Sequence, residues 1–87
     1  MSKTDKLILK ILSGNADNNF PIDELKRLLF ILGFLERKGA GSHTLYKKEG
    51  LADLINIQNA KGGKAKPYQV RQIREIILKY KLIQDEI

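Results

Sequence analysis

The sequence predicts an α+β fold, a three-stranded antiparallel sheet with helices on one face and an extra N-terminal helix. Two stretches carry apolar residues at three- and four-residue spacing: Ile22, Leu25, Leu28, Leu29, Leu32, and then Val70, Ile73, Ile76, Ile77, Tyr80. Between them the period drops to two over three short runs, 34–38, 42–48 and 54–58. Glycine-containing turns separate these runs, so neighbours pair antiparallel as a meander. A chain of 87 residues makes one domain, 1–87, with a core over 20–83 and an accessory segment over 1–19.

In chain order, Thr4 is placed to cap a first short helix, with Asp5 suiting its positive end and Leu7, Ile8, Ile11 and Leu12 forming its stripe. Ser13-Gly14-Asn15 stops it. Pro21 suits the first position of the second helix, where its fixed φ helps and its missing N–H is harmless. Gly33 ends that helix as a left-handed cap. The run FLERK gives a strand, Gly39-Ala40-Gly41 a turn, SHTLYKK a second strand, and LINIQ a third. Asn59 to Lys66 reads as a flexible basic loop, and Pro67 opens the last helix. Gln69, Arg71, Gln72 and Lys79 lie off its apolar stripe.

Sixteen Lys+Arg against ten Asp+Glu leave a net charge of +6 and a pI near 9.7. Such an excess favours polyanions, because each neutralised phosphate releases counterions. Cysteine is absent and histidine occurs once, which excludes disulfides, thiolate zinc and a His pair for a transition metal. No metal or cofactor is expected. No run of about 18 apolar residues is present, so no membrane span is expected, and nothing resembles a signal peptide. The cytoplasm is the expected location.

His43 is the single candidate acid–base group, the one side chain type here with an unperturbed pKa near neutrality. It follows Gly39-Ala40-Gly41-Ser42, a backbone able to turn tightly and approach a ligand closely. The bland alternative is a strand histidine that shares a face with Leu45, partly buried and hydrogen-bonded. RNA cleavage needs a proton removed from the 2′-hydroxyl and another delivered to the departing 5′-oxygen. One histidine assists either transfer, and nearby cations stabilise the phosphoryl charge.

The loop Lys61-Gly62-Gly63-Lys64-Ala65-Lys66-Pro67 sets three lysines ahead of a helix N-terminus, without nucleotide P-loop spacing. A solvated surface loop is the plainer reading. Candidate RNA contacts are Arg37, Lys38, Ser42, Lys61, Lys64, Lys66 and Arg71. Tyr46 suits base stacking or, more often for a strand tyrosine, packing with its hydroxyl at the rim.

Gly33-Phe34, then Gly41-Ser42-His43, then Lys66-Pro67 before a terminal amphipathic helix together resemble the HicA family of toxin ribonucleases. The resemblance runs from about Phe20 to Leu82. It implies a fold like that of double-stranded-RNA-binding domains, helix, three strands, helix. It also implies metal-independent mRNA cleavage with His43 as general acid or base, inhibition of translation, and neutralisation by an acidic HicB antitoxin protein. The chain departs from many relatives at Thr44, where another ring often follows the histidine, and at the extra Ala40. A non-catalytic double-stranded RNA-binding module is the alternative, since basic loops and helix ends suit shape recognition equally well. A protein-interaction module that meets an acidic partner is a third reading.

Overall fold

Periodicity and turn chemistry fix most of the elements, and the computed structural model describes residues 3–39, 41, 43–58 and 61–83, without the side chain of Lys61. Among the described residues there are three helices, α1 (Lys3–Ser13), α2 (Ile22–Ile31) and α3 (Pro67–Lys79), with strands β1 (Leu35–Lys38), β2 (His43–Lys47) and β3 (Ile55–Gln58). A short 3₁₀ turn lies at Asp17–Asn19, and the backbone at Lys61–Gly63 turns with Gly62 and Gly63 at positive φ.

Helix α2 buries Ile22, Leu25, Leu28 and Leu29 of the stripe expected of it, while Leu32 is its half-buried C-cap. Pro21, expected as its first helical residue, is instead its N-cap, so the helix starts one residue later, and the Pro21 carbonyl accepts the N–H of Leu25. At the far end Gly33 adopts φ +91, a left-handed conformation that L side chains rarely adopt. The N–H groups of Phe34 and Gly33 bond to the carbonyls of Leu29 and Phe30, the paired closure of a Schellman motif. Lys48 Nζ adds a 2.7 Å bond to the carbonyl of Leu32. A Cβ on residue 33 would lie 2.6 Å from that Nζ, so a side chain there would push the lysine's end off its present position.

Thr4 lies inside the first turn of α1 and does not cap it, because the helix already includes Lys3. Leu7 and Ile11 are buried, whereas Leu12, at 36% exposure, falls off the packed stripe. The segment expected to be accessory therefore shares the hydrophobic core of residues 20–83. Arg74 of α3 secures it, donating to the carbonyl of Ile11 at 3.0 Å and to both carboxylate oxygens of Asp17 at 2.9 Å.

The sheet order is β1-β2-β3, both pairs antiparallel, with Arg37 opposite Leu45 and His43 opposite Gln58. The expected strands are each shorter at their ends, and their alternation holds. Thr44, Tyr46, Ile55 and Ile57 are buried, and the last three join helical residues in the core. His43, Leu45 and Asn56 point to the opposite, open face. Each fully buried Leu or Ile contributes about 1.5–3 kcal/mol, which makes Ile11, Ile57 and Ile73 principal ties between the layers.

Two further expectations change. Gln69, expected off the apolar stripe, is buried at 1% exposure four residues before Ile73 and donates from Nε2 to the carbonyl of Asn56 at 3.2 Å. The basic loop is not wholly free, for Lys64 forms a bridge with Pro21, and the N–H of buried Ala65 bonds to Phe20 at 2.8 Å. Among the described residues, no helix is long and apolar enough to cross a membrane.

Candidate active site on the open sheet face

Residue parity decides which side chains meet His43. As the first residue of β2 it belongs to the open face, partly exposed, at the foot of the turn from β1. That turn is tight: Gly39 N–H donates to the His43 carbonyl at 3.0 Å, and a Cβ on residue 39 would lie 3.3 Å from that oxygen. Glycine thus lets the turn close directly against the histidine backbone.

Across the sheet, His43 Nδ1 lies 3.2 Å from Asn56 Oδ1. A carboxamide oxygen only accepts, so this contact requires the proton on Nδ1, and in the neutral ring the lone pair is then on Nε2. Gln58 stands directly opposite His43, and its Oε1 accepts from Lys66 Nζ at 3.2 Å. Lys66 is the N-cap residue of α3, so the helix start brings a cation beside the histidine's strand partner. Arg37, opposite Leu45, lies on the same open face two residues along. Its side chain is exposed.

The other expected contacts separate. Lys38 pairs with Thr44, whose side chain is buried, which puts Lys38 on the opposite parity at the sheet edge. Lys64 Nζ bonds Asn19 Oδ1 at 3.0 Å, near the start of α2. Arg71 is exposed and acts electrostatically on Asp17, which places it by the 17–19 turn. Ser42 and the side chain of Lys61 lie outside the described residues. Of the seven, Arg37 and Lys66 share the neighbourhood of His43.

Tyr46 packs, as a strand tyrosine usually does: it is 2% exposed and its hydroxyl donates to Glu36 Oε1 at 3.3 Å. Burial, with the adjacent Glu36 charge, pushes its pKa up to about 12, so it remains a neutral donor. Asn56 and Gln58 escaped the sequence reading. Their signal was available, because LINIQ places polar residues at alternate positions, the mark of one solvated strand face.

Together, a histidine held through Nδ1 by an amide and two cations on one open surface make an arrangement able to exchange a proton beside an anionic group. No protein-family model, curated protein or solved structure matches the chain.

Proposed function

We propose that this chain is a toxin-type, metal-independent endoribonuclease, similar to the HicA family, that cleaves mRNA and so inhibits translation. The observation that carries the reading is the 3.2 Å contact of His43 Nδ1 with Asn56 on the open sheet face, with Arg37 and Lys66 on that side. With Nδ1 protonated, Nε2 takes the proton of a 2′-hydroxyl. The 2′-oxygen bonds to phosphorus, and the bond from phosphorus to the 5′-oxygen breaks. The imidazolium returns the proton to that oxygen, which leaves a 2′,3′-cyclic phosphate and a 5′-hydroxyl. Lys66 exchanges its neutral Gln58 partner for the phosphate, a stronger charge-assisted bond, and Arg37 holds an adjoining phosphate.

On this reading the fold is double-stranded-RNA-binding-domain-like with α1 added, the working compartment is the cytoplasm, and an acidic HicB-type antitoxin covers the open face. The test is gel analysis of a defined RNA in EDTA with the wild type and with His43→Ala. Wild type should yield cyclic phosphate ends, and the variant should be slower by about 10²–10⁴-fold. Equal cleavage by both proteins removes His43 from the chemistry. Folded wild type that binds duplex RNA tightly and leaves every RNA intact would instead be a non-catalytic RNA-binding module.

A further inference from the structure

A second cationic surface lies on the helical side of the molecule, away from the open sheet face. Helices α1 and α2 flank a cleft of about 440 Å³ whose lining includes Lys3, Lys6, Lys10 and Arg27, with Glu24 as the one carboxylate among the described residues. Glu24 is engaged by Lys10 at 2.9 Å, and Lys10 Nζ also sits 5.1 Å from the centre of the Phe20 ring. Lys10 and Glu24 therefore brace the cleft wall, while Lys3, Lys6 and Arg27 are exposed.

Helix stability does not explain this arrangement. Lys3 and Lys6 occupy the positive end of α1, where a cation gains nothing from the helix dipole. Positions 3, 6 and 10 form one stripe, rising about 4.5 and then 6 Å along the axis at 1.5 Å per residue. Arg27 faces that stripe from α2. The result is a linear track of positive charge between two walls.

We propose that the α1/α2 cleft is a second binding track for the phosphate backbone of single-stranded RNA. The choice of RNA as the polyanion rests on the reading of the His43 face as an RNA site. A protein partner fits the cleft less well, because interfaces centre on desolvated apolar or aromatic anchors and Leu7, the apolar side chain in the lining, is 7% exposed. The track assigns α1 a role besides its packing: it extends the contact beyond the cleavage site and raises affinity for long transcripts over short ones.

The experiment measures binding of an unstructured RNA across a salt series by fluorescence anisotropy, in the His43→Ala background so that the RNA stays intact. Lys6→Gln/Arg27→Gln should flatten the slope of log affinity against log salt by about 1.4, at about 0.7 per phosphate contact on a single strand. Lys79→Gln/Lys81→Gln, which removes the same charge elsewhere, should flatten it clearly less. Equal flattening by both pairs, or none by the first, overturns the proposal. So does an RNA-insensitive cleft that a soluble polyglutamate saturates, which would assign it to an acidic protein. Wild-type protein that leaves RNA uncut defeats the nuclease reading alone, because the slopes are measured on a protein that needs no activity.

Discussion

Asn56 works through two oxygens. Its side-chain oxygen faces His43 Nδ1, and its main-chain oxygen receives the buried Gln69 amide, both at 3.2 Å. The second bond anchors the strand at the point where the first selects a tautomer. On the proposed nuclease reading, Asn56→Ala should lower cleavage about three- to tenfold, the worth of one neutral hydrogen bond, and ¹⁵N NMR of the His43 ring should show the Nδ1–H form giving way to a mixture. Asn56→Asp should move the alkaline-favoured arm of the pH–rate profile to higher pH, because a carboxylate beside the ring favours its protonated form. An unaltered ring spectrum in Asn56→Ala would reduce Asn56 to packing. At this scale much was legible. His43 stood out by chemistry, whereas Asn56 and Gln58 were passed over although alternation marks them, and Gln69 was placed off the stripe although it lies four residues before Ile73. What stayed hidden was the pairing of His43 with Gln58, since register depends on turn geometry that composition does not specify.

Among the elements, the 3₁₀ turn Asp17–Asn19 shows where a local reading ends. A run of Asp, Asn and Asn reads only as a polar turn, yet Asp17 meets a guanidinium contributed from position 74. The Arg74 hydrogen bond holds the Asp17 carboxyl below its usual pKa, and the charges of Arg74 and then Arg71 add to this against the opposing effect of burial. A depressed folded-state pKa contributes stability that is present above the unfolded carboxylate's pKa, about 3.9, and is lost as pH falls through the lower folded value. Asp17→Asn should therefore cost about 1.5–3 kcal/mol near neutrality, the range for hydrogen bonds to a charged group. Its deficit against wild type in urea titrations should shrink as the pH drops below about 4. A deficit independent of pH would mean that the pair stabilises by shape alone. The helices themselves were legible because their stripes are long. The position of α1 was not, since its eleven residues bury only Leu7 and Ile11.

For the whole molecule, the net charge of +6 favours polyanions without saying where one would bind. The fold divides that charge between the open sheet face, with Arg37 and Lys66, and the cleft of Lys3, Lys6 and Arg27. Between those surfaces, Arg74 joins groups 57 and 63 residues away, whereas the turn at Gly39 closes onto His43 within the same hairpin. Closing long loops is entropically slower to reward than closing short ones. The meander should thus assemble early in folding, and the guanidinium should lock α1 to α3 after the transition state. In stopped-flow chevrons, Arg74→Lys should then steepen the loss of kinetic lifetime: unfolding accelerates while refolding keeps its rate. Refolding slowed by the same factor would place the lock inside the nucleus. The arginine that ties the two ends of the chain together would then act as a latch on the native state's lifetime, with no part in how fast that state is reached.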